Sequence, residues 1–228
     1  MMAMREIFPG VYFIEVEGEE RLATRNLVPG KRVYGERLVN IDGVEYRLRI
    51  ASRSKLAAAI LNGLEEMPIL PGSRVLYLGV ASGTTASHVS DIVGYEGIVF
   101  GVDVAHRMLR ELLYIAMDRK NLVPILADAT KPRSYTTIVG MPVDVLYADV
   151  AHPAQSQIVC DNAKVYLKPE GHLLMAIKAR SIDSAAEPEV VFKSEIEKLK
   201  KCGFKPLQVI NLEPYHKDHV MVHAVYKG

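Results

Sequence analysis

The sequence predicts an α/β protein, an open doubly wound sheet of mostly parallel strands preceded by a small antiparallel β unit. Three observations carry this prediction. From Ser54 onward, short apolar runs alternate with segments of helical period, the pattern of parallel strands joined by crossovers. The first of these runs, Val75-Leu76-Tyr77-Leu78, stops at Gly79 and a loop of small residues, and the second ends in an acid, Asp103. Near the carboxyl terminus only Glu213-Pro214-Tyr215-His216-Lys217-Asp218 separates the last two apolar runs. That link is too short for a crossover, so the final pair is antiparallel.

Residues 1–53 read as an N-terminal β-rich domain and 54–228 as the α/β domain. Phe8 to Val16 holds an apolar-aromatic strand around Val11-Tyr12-Phe13-Ile14. Val44, Tyr46, Leu48 and Ile50 alternate with Glu45, Arg47 and Arg49, which predicts a strand with one buried face. Asp42-Gly43 before it is a hairpin turn, because both residues accept positive φ. Pro29-Gly30 marks another turn. Ser54 caps a helix through Leu56–Leu61, and Pro68 and Pro71-Gly72 close that region. Strands follow near 74–79, 98–103, 122–127, 143–149 and 171–178, with helices near 84–93, 106–119, 131–139 and 154–167. A helix near 186–202 carries Glu189/Lys193 and Glu197/Lys201 at i,i+4, read as a solvated face. Strands near 205–212 and 219–226 complete the chain. Seven strands ending in an antiparallel pair is the order of Rossmann-like class I methyltransferases.

The loop after the first strand is not a dinucleotide fingerprint. Ala81 stands where the second glycine of Gly-x-Gly-x-x-Gly belongs, and the last glycine is missing from its place. A pyrophosphate is therefore poorly seated, which favours S-adenosyl-L-methionine, an adenosine cofactor with no phosphate, over NAD. The small residues Gly79, Ala81 and Gly83 let such a cofactor approach the backbone, and Asp103 is placed for its ribose hydroxyls. Asp128 ends the Leu122–Ala127 run, with Ala129 after it, and is placed for the adenine amino group. Each acid has a local alternative as a helix cap, as do Thr84 and Thr85.

Ligands in such sheets bind beyond the carboxyl ends of the parallel strands. Asp149 and Lys178 each close an apolar strand there. His219 begins the reversed final strand and so lies on the same edge. Lys55, at the start of the first helix, is placed to reach the same cleft. A lysine ending an apolar strand pays desolvation unless something requires it. Each residue alone reads as a rim or surface group; their convergence is the signal.

The chain has 28 Lys plus Arg against 27 Asp plus Glu, a net charge of +1. A protein that grips RNA alone shows a clear basic excess, so a nucleic-acid substrate would be delivered by another protein. No apolar stretch approaches membrane-spanning length, and the start lacks a signal-peptide apolar region, which predicts a cytoplasmic protein. Cys160 and Cys202 match no metal-ligand spacing and read as small packed apolar groups in a reducing compartment, a disulfide being the alternative.

Several long motifs agree in order with one family. Leu78 through Asp91, Ala148-Asp149-Val150-Ala151-His152-Pro153, Ile177-Lys178-Ala179 and Glu213 through His219 resemble fibrillarin, the guide-RNA-dependent ribose 2′-O-methyltransferase of box C/D ribonucleoproteins. The resemblance spans essentially the whole chain, in the archaeal form without a Gly/Arg-rich tail. It implies cofactor contacts at Thr84, Thr85, Asp103, Val104, Asp128, Ala129 and Asp149, Val150, Ala151, His152. It also implies a catalytic set of Lys55, Asp149, Lys178 and His219, and no metal. Asp103 stands where the family often has Glu, and His152 where Gln is usual. The implied partners are a Nop-domain scaffold protein, a kink-turn-binding ribosomal-type protein, a box C/D guide RNA and a target rRNA or tRNA.

The expected reaction is displacement at the sulfonium methyl by a ribose 2′-hydroxyl. Lys178, its pKa lowered by the apolar strand end and by Lys55, is expected to engage the hydroxyl. Asp149 is expected to orient Lys178, with His219 and Lys55 fixing ribose or phosphate. Orientation alone is a rival source of rate. The alternative functions are a methyltransferase acting on a base, a protein side chain or a small molecule, and a non-catalytic assembly subunit. An Asn-Pro-Pro-Tyr-like base-methylation motif is absent from 149–152, and the isolated chain is left open between monomer and homodimer.

Overall fold

The computed structural model describes residues 3–228. The chain begins with β1 (Met4–Phe8), β2 (Val11–Val16), β3 (Glu19–Arg25), β4 (Leu38–Ile41) and β5 (Val44–Leu48). They form one antiparallel sheet in the order β1-β2-β3-β5-β4. The strand expected around Val11–Ile14 is β2, and a further strand, β1, precedes it across the turn at Pro9-Gly10, with Gly10 at φ 80°. Asp42 (φ 51°) and Gly43 (φ 82°) make the expected hairpin turn between β4 and β5. Ile14, Val16, Ala23, Val39, Tyr46 and Leu48 form a small core on one face.

The α/β part follows the predicted alternation: α1 (Lys55–Leu61), β6 (Arg74–Leu78), α2 (Thr84–Val93), β7 (Ile98–Asp103), α3 (His106–Asp118), β8 (Leu122–Leu126), α4 (Thr136–Val139) and β9 (Val143–Ala148). Then come α5 (Gln155–Tyr166), β10 (Leu167–Lys178), α6 (Ala179–Ile182), α7 (Pro188–Lys201), β11 (Phe204–Asn211) and β12 (His219–Tyr226). The seven strands lie in the order β11-β12-β10-β9-β6-β7-β8. β8, β7, β6, β9 and β10 are parallel, and β12 runs antiparallel to both β10 and β11. Two apolar layers cover the sheet, one built with α1, α2 and α3 and the other with α5 and α7. Ser54 caps α1 as expected, its Oγ accepting from the Ala57 amide at 3.2 Å.

The strand over 44–50 does not have one buried face. Arg47 is completely buried, because α2 packs on the side that alternation assigned to solvent. Arg47 donates to Glu36 at 2.7 Å, to Asp91 at 2.8 Å and to Ser87 Oγ at 2.8 Å. The Asp91 carboxylate also accepts from Arg119 (2.6 Å), Thr24 Oγ1 (2.7 Å) and the Leu27 amide (2.9 Å). His88 lies between Thr24 and Tyr34, 2.7 Å from each hydroxyl. Burial, then the flanking guanidinium groups, push its pKa well below the usual histidine value, so it stays neutral. Since Thr24 gives its proton to Asp91, His88 Nδ1 is the donor to Thr24, and Nε2 accepts from Tyr34.

Two other expectations change. Cys160 and Cys202 are bonded as a disulfide across 42 residues of sequence. Cys160 lies on α5 and Cys202 caps α7, and these helices pack together, which brings the sulfurs to bonding distance. Among the described residues, the ion pairs on α7 are Glu195–Lys198 and Glu197–Lys200, spaced i,i+3 rather than i,i+4. Glu189, Lys193, Glu197 and Lys201 are exposed, as a solvated face requires, whereas Glu195 is buried and accepts from Ser156 Oγ at 2.6 Å. No helix of the described residues is long and apolar enough to cross a membrane.

Removing one partner of a buried ion network leaves an uncompensated charge, a loss of roughly 3–5 kcal/mol. Asp91→Asn is expected to lower unfolding free energy by about that amount in denaturant titration, since Arg119 loses its carboxylate and Arg47 one of its two; a loss under ~1 kcal/mol would show that water replaces it.

Candidate active site

β6 delivers the chain to the carboxyl edge of the sheet, where Gly79 makes a turn that no other residue fits. Its φ is +75°, and a Cβ there would lie 2.3 Å from the Asp149 carbonyl oxygen. The loop after β6 therefore rests directly on the backbone after β9. Ala81 follows at φ 52°, a left-handed conformation unusual for a residue with a side chain. It is held there by a hydrogen bond from its amide to Asp103 Oδ2 at 2.9 Å. Asp103 Oδ1 accepts from the Ala105 amide at 2.9 Å, so the acid both orders two loops and lines the cavity.

That cavity, about 320 Å³, is lined by Gly79, Ala81, Asp103, Val104, Asp128, Ala129, Asp149, Val150, Ala151 and His152, together with Val102, Ala127, Thr130 and Ile158. Ten of the predicted cofactor residues thus surround one space at the strand ends, of the size that holds small ligands. Asp128 Oδ1 accepts from both the hydroxyl (2.7 Å) and the amide (2.9 Å) of Thr130. These two bonds, the hydroxyl first, hold its carboxyl below the usual carboxylate range, so it is an anion and its other oxygen remains an acceptor. His152 Nδ1 accepts from the Ala154 amide at 3.0 Å, which puts the proton of the neutral ring on Nε2.

Gly83, Thr84 and Thr85 stand slightly apart. Gly83 caps α2 at φ +97° against Leu112. Thr84 lines a separate groove with Tyr34, Arg53 and Tyr114. Thr85 Oγ1 is hydrogen-bonded to Ser54 Oγ at 3.0 Å. Neither threonine side chain caps its own helix.

The four charged or titratable residues do gather on one rim. Lys55 Nζ lies 2.7 Å from Asp149 Oδ2, both side chains being about one-quarter exposed. Lys178 and His219 are direct cross-strand partners at the ends of β10 and β12. Two expectations about them change. Asp149 orients Lys55 rather than Lys178, because α1 places Lys55 over the end of β9. Lys178 is exposed, since β10 ends at the rim and leaves its ammonium in water, so it does not pay the expected desolvation. His219 is half-buried, and its Nδ1 lies 2.6 Å from the Lys217 carbonyl oxygen. A carbonyl only accepts, so Nδ1 carries the proton and Nε2 keeps the lone pair in the neutral ring. Burial is the main cause that lowers its pKa below 6.5, with Lys55 adding to it.

Sequence reasoning missed Thr130, although a hydroxyl residue two places after an aspartate is a common local partner. It read Ser54 only as a cap. It gave no role to Tyr77 and Tyr147, whose rings lie 4.4 Å apart beneath Asp149.

The family model for fibrillarin matches residues 2–228. This chain belongs to the fibrillarin family. It is 57% identical over 222 residues to the fibrillarin-like rRNA/tRNA 2′-O-methyltransferase of Thermococcus onnurineus, covering 97% of each chain. Among solved structures, Aeropyrum pernix fibrillarin in complex with natively bound S-adenosyl-L-methionine superposes with a TM-score of 0.92 at 51% identity, covering 99% of this chain and 98% of that one. Fibrillarin in a fibrillarin/Nop5p complex gives 0.87 at 42% identity, with 98% and 100% covered.

A methyl group at position 79 has no room and an unfavourable φ. Gly79→Ala is therefore expected to lower affinity for S-adenosyl-L-methionine, the ligand of the Aeropyrum pernix relative, at least about tenfold by calorimetric titration. Retained affinity would show that the loop can leave Asp149 without disturbing the cavity.

Proposed function

We propose that this chain is the catalytic subunit of a box C/D ribonucleoprotein and transfers a methyl group from S-adenosyl-L-methionine to a ribose 2′-hydroxyl of rRNA or tRNA. The observation that carries the reading is the Lys55–Asp149 pair, with Lys178 and His219, standing beside the cavity that Asp149 itself lines. The cavity residues suit the cofactor. Gly79 lets the loop after β6 close onto the Asp149 backbone and line the cavity, Asp103 is an acceptor for a ribose diol, and Asp128 is an anionic acceptor for an exocyclic amino group. When bound, S-adenosyl-L-methionine supplies an electrophilic methyl on a sulfonium.

A ribose hydroxyl is a weak acid, so attack needs a proton acceptor and positive charge near the oxygen. His219 Nε2 has the lone pair and takes the hydroxyl proton as the oxygen bonds to the methyl carbon; sulfur keeps the electron pair of the broken bond. Lys178, across the strand pair from His219, stabilises the developing charge on the oxygen. Asp149 holds Lys55 at the rim, where the ammonium is placed for ribose or phosphate oxygens.

The division at residue 53/54 belongs to the same reading, with 1–53 a wall of the site and a docking face and 54–228 the transferase. A Nop-domain scaffold, a kink-turn-binding ribosomal-type protein and the guide RNA would position the target strand. The cytoplasm is the compartment this implies.

In a reconstituted particle, single-turnover methylation is expected to fall about 10²-fold or more in Lys178→Ala and in Asp149→Ala. Near-normal rates in both would leave alignment of hydroxyl and methyl as the source of catalysis and remove these residues from the chemistry.

The lowered pKa of His219 sets the sign of the pH dependence. The neutral, proton-accepting ring persists below the ordinary histidine midpoint of 6.5, so the rate is expected to stay level from mildly alkaline pH down to there and to fall only at more acid pH. An acid limb above that value, or one unchanged in His219→Gln, would exclude His219 as the acceptor.

A further inference from the structure

Arg49 follows β5 in the N-terminal sheet and is 6% exposed. Its neighbour in the strand, Arg47, has two carboxylates and a hydroxyl around its guanidinium. Arg49 has no carboxylate partner among the described residues. Its Nε and Nη1 are buried without a hydrogen-bond acceptor, and its one side-chain bond runs from Nη2 to Ser54 Oγ at 3.2 Å. Burial lowers its pKa to about 10, which still leaves it a cation at neutral pH. A buried, half-satisfied cation costs stability, and an apolar side chain of the same volume is commonly neutral or better. Folding alone gives no reason for an arginine here.

Its surroundings give one. Ser54 Oγ is a junction: it accepts from Arg49 Nη2 and, at 3.2 Å, from the Ala57 amide that it caps, and it lies 3.0 Å from Thr85 Oγ1 in a hydroxyl–hydroxyl hydrogen bond. The next residue is Lys55, whose ammonium holds Asp149. Thr85 is the second residue of α2, just after the cofactor loop. Tyr147 is the penultimate residue of β9, two places before Asp149, and its buried hydroxyl is also without a partner. One hydroxyl therefore fixes the helix start carrying Lys55 and the corner carrying Thr84 and Thr85, and Arg49 is the charge that fixes the hydroxyl.

We propose that Arg49 is a positioning residue of the methyl-transfer site, contributed by the N-terminal sheet, which sets Lys55 and Thr85 through Ser54. The cofactor half rests on the Ser54–Thr85 contact; the Lys55 half rests on the function proposed above. Arg49 touches no substrate and acts only through Ser54.

The test begins with calorimetric binding of S-adenosyl-L-methionine to the isolated chain, at temperatures where circular dichroism shows each variant folded. Arg49→Met and Ser54→Ala are each expected to weaken binding about fivefold, the double variant no more than the weaker single, and Arg49→Lys to recover to within about twofold of the parent. In the assembled particle, Arg49→Met is expected to lower kcat about tenfold at saturating cofactor while target KM stays within about twofold. Binding within twofold of the parent in Ser54→Ala, or losses that multiply in the double variant, overturns the proposal; the Ser54→Ala arm decides if Arg49→Met does not fold. A parent chain that binds cofactor yet methylates no ribose would remove the proposed function and leave the binding result to judge Arg49.

Discussion

The carboxylate of Asp91 is the point on which the arrangement of this molecule depends. Two guanidinium groups, a hydroxyl and a backbone amide converge on it inside the protein. Arg47, Thr24 and Leu27 come from the N-terminal sheet and its following loop, and Arg119 from the end of α3. Each contact is charge-assisted or buried, and none is exchangeable for water without exposing a charge. Ion networks of this kind are weak evidence for high stability, because desolvation offsets much of the attraction. They are strict about geometry. With Arg47 fixed against α2, the strand that carries it is fixed too, and so are Arg49, Ser54 and Lys55, which follow within a few residues.

That chain of consequences explains why a methyl-transfer site at the edge of one sheet is tied to a second sheet. The cavity is made by the α/β part: Gly79 against the Asp149 backbone, Asp103 bridging Ala81 and Ala105, and Asp128 held by Thr130. The charged rim belongs to the same part, but strand ends alone do not complete it. Lys55 arrives from the segment that joins the two sheets, and its ammonium meets Asp149 only because α1 is capped and oriented at Ser54. Asp149 has two tasks on two sides, since it lines the cavity and holds Lys55. The exposure of Lys178 suits the role proposed for it, because a group that is to meet an incoming strand of RNA has to remain open.

Much of this was legible in the sequence because the signals were local. Asp42-Gly43 announced a hairpin from its own conformational preferences. Val75–Leu78, Gly79 and Asp103 announced a strand, a turn and an acid at the right interval. What the sequence hid depended on long-range packing. Alternation over 44–50 assigned Arg47 to water, because period two marks which residues share a face and says nothing about what covers that face. Cys160 and Cys202 read as separate thiols because helix packing across 42 residues leaves no local trace. The four candidate site residues were placed on one edge by topology, since strand ends share an edge. Their pairing was misassigned, because whether Asp149 meets Lys55 or Lys178 is decided by a helix start and not by strand order. His88 and Asp91 fell inside the longest family motif beside the cofactor loop, yet their work is to join the two sheets.

The charges left over on the rim bear on how a target is held. Lys55 is neutralised by Asp149, and Arg180 lies 3.1 Å from Asp218. Lys178 and Lys217, and Arg53 just before Ser54 and Lys55, are then exposed cations without a carboxylate partner among the described residues, on a chain whose net charge is only +1. Each phosphate contact to a single strand contributes a salt-dependent increment through counterion release, and a few such contacts hold RNA weakly at physiological salt. In the function proposed above, affinity and register for a target therefore come from elsewhere, from base pairing to a guide and from the proteins that carry it. Weak intrinsic grip suits that arrangement. A rim that bound phosphates strongly would hold any strand presented to it, whereas one with few free cations acts on the nucleotide that pairing delivers.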